Sequence, residues 1–236
     1  MKMLGRRVVV NADDLGLSEG VNRGIFEAHE RGILTSASLM VRHKGLSDAV
    51  SYCQKNPRLG VGLHLDLGEW RLSSGEWLPA YEVVNLRDAA AVENEVARQL
   101  ALFEEALERK PTHLDSHQHV HRREPVRAIM QRLAGRFGVP LRGAGPIHSC
   151  GEFYGQQEDG VSAAWMISSE NLIRILRHLP KGESEVSCHP GFAEDLDSDY
   201  RVERALEVQA LCDPRVHAAV QVEGLALVTF AGLPLS

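Results

Sequence analysis

Short apolar runs alternate along this chain with longer stretches in which apolar residues recur every three or four positions. Val8-Val9-Val10 reads as a buried strand. Val21, Ile25 and Ala28 then line one helical face, and Gly32 is placed to end that helix. Residues 35–41 predict a second strand, 48–55 part of a second helix, and 59–67 a third strand. A long helix is expected over 88–109, striped by Val92, Val96, Leu100, Phe103 and Leu107. Lys110-Pro111-Thr112 should end it and start a fourth strand at His113. Pro125 fits the first turn of the next helix, whose apolar face is Val126, Ile129, Leu133 and Phe137. Leu141-Arg142 reads as a short strand, 171–179 as a helix, 185–188 as a strand and 200–211 as a helix. Asp213-Pro214 looks like the cap and first position of one more short helix, and 225–230 like a last strand.

Strand–helix alternation throughout implies a parallel sheet. About seven such units suggest a closed or nearly closed barrel, with an open doubly wound sheet as the alternative. The 236 residues are expected to form one domain, 1–236. Two stretches break the alternation: 68–85, with Trp70, Trp77 and Tyr81, and 143–168, with Phe153, Tyr154 and Trp165. Long irregular segments in a compact domain are usually functional. Their aromatic faces suit stacking on the C–H faces of sugar rings, or they anchor the loops to the barrel.

Composition narrows the classes. Apolar residues make up 44% and charged residues 25%, ordinary globular values. Net charge is 26 − 32 = −6 with no basic block, which argues against nucleic acid as a partner. Cys53, Cys150, Cys188 and Cys212 form no CxxC pair, so reduced thiols and a cytoplasmic location are expected. Lys2, Arg6 and Arg7 precede Val8-Val9-Val10, but the apolar run stops at Asn11, too short for a signal peptide. No stretch approaches the ~20 apolar residues of a membrane span.

The chemistry concentrates where strands end. Val8-Val9-Val10 runs into Asp13 and Asp14, Val61-Gly62-Leu63 into His64 and Asp66, Thr112-His113-Leu114 into Asp115 and His117, and Val186-Ser187-Cys188 into His189. In parallel α/β folds the strand C-termini form the active face. Four of the eleven histidines, with Asp115, occupy alternate positions from His113 to His121, which on a strand would share one face. Each item has a bland alternative: a turn or helix cap for the Asp-Asp pair, a satisfied half-buried residue for His64, a turn before Pro190 for His189. Together they point to a metal site, since imidazole and carboxylate are the usual ligands of a catalytic divalent ion. One of two adjacent carboxylates can bind the ion and leave its neighbour as base for a metal-bound water, while His189 protonates a leaving amine.

Asn11-Ala12-Asp13-Asp14-Leu15-Gly16-Leu17-Ser18, Gly62-Leu63-His64-Leu65, the stretch Thr112 to His121 and Cys188-His189-Pro190-Gly191-Phe192 resemble, in order, the motifs of the YdjC-like carbohydrate deacetylases, a group with chitooligosaccharide deacetylases and hopanoid-associated members. The resemblance implies a distorted, incomplete TIM-like barrel that removes an N-acetyl group from an amino sugar or glycolipid. It implies Asp13 as general base, Asp14, His64 and His117 as ligands of one divalent metal ion, and His189 as acid or oxyanion stabiliser. Asp115, His119 and His121 belong to the motif in supporting roles; Arg142 would orient a carboxylate, and Trp70, Trp77 and Tyr154 are candidates for sugar contact. The resemblance implies magnesium, whereas two imidazoles favour zinc by ligand softness. A homodimer is one assembly open to the chain. The competing functions are a metallohydrolase for another C–N or ester bond and a non-catalytic sugar-binding protein on the same scaffold.

Overall fold

The computed structural model describes residues 5–73, 75–157 and 160–233; Lys2 and two members of the second irregular stretch, Glu158 and Asp159, lie outside the described residues. The chain folds as β1 (Arg6–Leu15), α1 (Glu19–Arg31), β2 (Ser36–Leu39), α2 (Leu46–Lys55), β3 (Gly60–Leu65), β4 (Gly68–Ser73), β5 (Glu76–Glu82), α3 (Ala89–Leu107) and β6 (Leu114–Ser116). It continues through α4 (Val126–Phe137), β7 (His148–Cys150), α5 (Ser169–His178), β8 (Gly182–Cys188), α6 (Val202–Leu211), α7 (Pro214–Val222) and β9 (Ala226–Leu227). The principal sheet is parallel, in the order β6-β3-β2-β1-β8-β7. β9 pairs with Arg7 and Val8 of β1, below the point where β2 joins it. The sheet curls into an incomplete barrel with helices outside. Leu141 bridges to Leu114 on the β6 edge, and seven residues later the chain pairs with β8 as β7. The barrel therefore almost closes, and an apolar cavity lined by Val139, Leu141, Ile147 and Leu233 sits at the seam.

Local chemistry explains the elements. The Ser18 hydroxyl accepts from Val21 N–H at 3.2 Å to start α1, and Gly32 N–H closes its end on the Ala28 carbonyl. Asp88, Ser168 and Asp213 cap α3, α5 and α7 in the same way, the last with Pro214 in the first turn as its sequence suggests. α3 buries Val92, Val96, Leu100, Phe103 and Leu107, the expected stripe. Val8 and Val10 face the main core, and Val9 packs with Phe230 and Leu233 on the other side, so β1 is apolar on both faces.

The structure departs from the sequence reading in four places. The His-rich stretch is a strand only from Leu114 to Ser116; a 3-10 turn, His117–Arg122, follows. Gln118 and His119 sit at φ 48° and 54°, so the chain turns over and alternation ends at Ser116. Residues 68–85 are not irregular: β4 and β5 form an antiparallel hairpin beside the barrel mouth. Leu141-Arg142 forms no strand, Leu141 making only isolated bridges to Leu114 and Ala144, and the last strand shortens to Ala226–Leu227. Among the described residues no helix is long and apolar enough to cross a membrane, and all four cysteines are free thiols.

α1 packs directly on the loop that follows β8. A Cβ on Gly24 would lie 2.4 Å from Gly191 Cα, a backbone atom with no rotamer to escape by. Gly24→Ala is therefore expected to lower stability by roughly 1–3 kcal/mol. A thermal melt should register it as a drop of several degrees, and the shift in the loop should also displace His189; an unchanged midpoint would mean the helix and loop are not in contact.

Candidate active site

The end of β1 brings two adjacent carboxylates into one site. In a regular strand Asp13 and Asp14 would point to opposite faces. Here the β1–β2 register slips between Ala12 and Leu15, so that Asp13 and Asp14 together face only Ser38, and Asp14 takes φ 67°. A bulge of this kind re-aims a side chain, and aspartate tolerates the left-handed region better than most residues. Both carboxylates end up buried at the barrel mouth.

Asp14 Oδ1 lies 3.3 Å from His64 Nε2 and 3.2 Å from His117 Nδ1. One potential ligand atom from each of these three residues falls within 4.8 Å of the other two, the size of a cation site. Each histidine has a carboxylate on its opposite nitrogen. His64 Nδ1 is 2.7 Å from Asp115 Oδ1, and His117 Nε2 is 3.7 Å from Glu69 Oε2, close enough for charge but too long for a hydrogen bond. Burial alone would push both imidazoles down. Asp115 and Asp13 outweigh it at His64, which rises to about 10; Asp14 and Glu69 outweigh it at His117, which rises to about 9. Burial favours neutral Asp14, but Arg204 and the two histidines hold its carboxyl well below the usual range.

Arg142 occupies the middle of the barrel. Its guanidinium bonds Asp13 at 2.5 and 2.7 Å, Asp115 at 2.8 Å and Glu185 at 2.7 Å, all on side chains almost wholly buried. Burial pushes Glu185 up to about 7 despite Arg142. Burial likewise favours protonated Asp13, but Arg142 overrides it and lowers the pKa. Four buried carboxylates, Asp13, Asp14, Asp115 and Glu185, thus share two guanidiniums, Arg142 and Arg204. The excess negative charge is what a divalent cation, or protons on His64 and His117, would neutralise.

His189 stands across from Asp13, with Nε2 3.7 Å from Asp13 Oδ2. Burial drops it to about 4, so it is a neutral imidazole at pH 7. Tyr154 and Tyr200 stack on each other at 4.8 Å, and both present edges to the His189 ring, at 5.4 and 5.7 Å. Tyr154 is thereby brought to the site. Trp70 reaches it through its backbone, clamped by the Gln118 side chain at 2.9 and 2.7 Å. Trp77 stands 61% exposed on β5.

The other histidines of the rich stretch separate. His113 lies over Gly62, where any Cβ would collide with its ring; it bonds Ser38 and stacks on Phe230. His121 and Ser116 bond each other twice, side chain to side chain and backbone N–H to hydroxyl, which locks the turn. His119 sits perpendicular to His121, and its buried Nδ1 has no hydrogen-bond partner. Sequence reasoning missed Glu69, Glu185, Tyr200, Arg204 and Glu207. A signal existed for the last two: they fall on the same helical face as Val208 and Leu211, where charge is out of place.

The profile of the YdjC-like protein family matches residues 7–222. The chain belongs to that family. A carbohydrate deacetylase of Vibrio parahaemolyticus is 31% identical over 256 residues, covering 96% of this chain and 96% of that protein. A chitooligosaccharide deacetylase of Salmonella paratyphi B is 30% identical over 259 residues, covering 93% and 96%. The crystal structure of an Enterococcus faecalis V583 protein, assigned by name only to cellobiose-phosphate cleavage, superposes with a TM-score of 0.79 at 24% identity, covering 96% and 98%. It shares the fold. This YdjC-like barrel brings Asp13, Asp14, His64, His117 and His189 together at one mouth.

Replacing Arg142 by methionine would leave three carboxylates buried without their cation. Loss of one partner of such a network typically costs about 3–5 kcal/mol. Urea unfolding of Arg142→Met should show a fall of that order, and adding Glu185→Gln should recover part of it. A loss below about 1 kcal/mol would refute the central role of the guanidinium.

Proposed function

We propose that this chain is a metal-dependent N-deacetylase of amino sugars, removing acetate from an N-acetylglucosamine-containing oligosaccharide or glycolipid. The observation that carries the reading is the convergence of Asp14, His64 and His117 beside the Asp13–His189 pair. The names of the relatives, carbohydrate deacetylase and chitooligosaccharide deacetylase, supply the substrate class.

The donor set fits a divalent cation: a carboxylate and two imidazoles from three strand ends, in a pocket with surplus negative charge. Asp14, His64 and His117 would hold it, and two nitrogen ligands favour zinc or a similar transition ion over the magnesium that the resemblance implies. The ion would supply Lewis acidity to the acetyl carbonyl and the attacking water. The protein's own part is proton handling. Asp13 takes the proton of the water. Arg142 makes it a weaker base but fixes both its oxygens, one of them facing His189. His189, neutral at rest, donates a ring N–H hydrogen bond to the developing oxyanion; to act as acid it first takes up the proton that Asp13, 3.7 Å away, has drawn from the water, and then gives it to the leaving amine. Tyr154, against His189, offers a ring face to the sugar.

Incubation of metal-loaded protein with N-acetylated chitooligosaccharides should release acetate, read by mass spectrometry of the sugar. Asp13→Asn should slow it by about 10²-fold or more, and His117→Ala should abolish both turnover and ion binding. Acetate release that survives both changes would sink the reading.

A pH dependence follows from His64 and His117. Their folded pKa values are raised, so the ion pairs of the metal-free protein are fully present below the unfolded value of about 6.5 and are lost as pH rises through about 9 and 10. Metal-free protein should lose thermal stability between pH 6.5 and 10, whereas ion-loaded protein should hold it. Calorimetry in buffers of different ionisation enthalpy should detect proton release when zinc binds at pH 7; no release would contradict binding through these imidazoles.

A further inference from the structure

Helix α6 stands behind both halves of the site. Arg204, Glu207, Val208 and Leu211 occupy positions i, i+3, i+4 and i+7 on its inner face, and all four are buried. Packing alone would be served by apolar residues there, because a buried charge is unfavourable unless paired. Arg204 Nη2 donates to Asp14 Oδ2 at 2.6 Å, while Oδ1 of the same carboxylate faces His64 and His117. Glu207 accepts a very short hydrogen bond from the His189 backbone N–H and another from the Tyr200 hydroxyl at 2.5 Å. The Tyr200 oxygen itself accepts from Gly155 N–H at 2.7 Å, so its hydrogen is committed to Glu207. The carbonyl of Arg204 receives Gly191 N–H at 3.2 Å. The loop carrying His189 is thus held by α6 at three backbone points, the third a long 3.4 Å hydrogen bond from Arg204 Nη1 to the His189 carbonyl, and Tyr154 beside it is held through Tyr200.

We propose that Arg204 and Glu207 are positioning residues for the two halves of the site. Arg204 holds Asp14 with a single oxygen toward His64 and His117. Glu207 holds the His189 backbone so that its imidazole faces Asp13. One helical turn, a rise of roughly 4.5 Å over three residues, fixes the two holds relative to each other. This assignment rests on the reading of Asp14 as a metal ligand and His189 as the proton donor.

The test uses the full chain, stripped of metal, as wild type, Arg204→Met and Glu207→Gln. Zinc and magnesium binding are measured by calorimetry, kcat and KM on an N-acetylated chitooligosaccharide, and stability by thermal melts. Arg204→Met should weaken ion binding by about 10- to 100-fold. Glu207→Gln should leave ion affinity within about twofold but lower kcat by about tenfold or more at unchanged KM. If Arg204→Met does not fold, Arg204→Lys, which keeps the charge but moves the donor, should weaken binding several-fold. Tighter ion binding in Arg204→Met would overturn the assignment, since the guanidinium would then act only as a repelling charge. So would parallel losses in both variants that merely track their melting points. Wild type that binds an ion and turns over, with both variants unaltered, overturns the positioning roles alone; wild type that binds no ion and releases no acetate overturns the functional reading and this assignment with it.

Discussion

The Arg142 guanidinium inside the barrel is the interaction on which the rest depends. It gathers Asp13 from β1, Asp115 from the strand after α3 and Glu185 from β8, three carboxylates that could not otherwise share a dry interior. Arg142 itself comes from the seam, where the sheet fails to close by strand pairing. A charged contact thus does across the barrel what a missing ladder would have done around it. It also sets the chemistry, because the group that neutralises Asp13 is the group that aims it.

Around that hub the site is built from pairs, each tying one functional side chain to a fixed partner. His64 leans on Asp115, His117 faces Glu69, Asp14 is held by Arg204, and the His189 backbone by Glu207. Such partners fix tautomer and orientation before any ligand arrives, which reduces reorganisation during a reaction. The partners come from different elements: a strand, a hairpin and a helix late in the chain. The left-handed residues Asp14, Gln118 and His119 cluster here too, as strained backbone does where a fold serves a site.

Much of this was legible in the sequence because its signals are local. Strand and helix periods depend on near neighbours, so β1, α1, α3 and the capped α7 appear where the pattern puts them. The rule that strand C-termini make the active face drew out Asp13, Asp14, His64, Asp66, Asp115, His117 and His189, the resemblance picked Asp13, Asp14, His64, His117 and His189 from among them, and the fold brings those five to one mouth. The alternation argument failed for His119 and His121, because a turn with two left-handed residues cannot be read from imidazole spacing. It failed for 68–85 because hairpin pairing, unlike helix periodicity, depends on a partner strand.

The sequence by itself determined the parallel α/β plan, the family and the set of chemically capable residues, since composition, period and motif order are properties of the chain alone. Only the tertiary structure decided which of them meet. The sequence marked Arg142 as a residue that orients one carboxylate, but only the fold surrounds it with three from distant strands; the helical face of Arg204 and Glu207 could be read from the chain, but not the partners they meet. The physical reason is that a charge's role depends on its distance to other charges and on the dielectric around it. Both are fixed only when residues 190 positions apart, such as Asp14 and Arg204, are folded to within 2.6 Å.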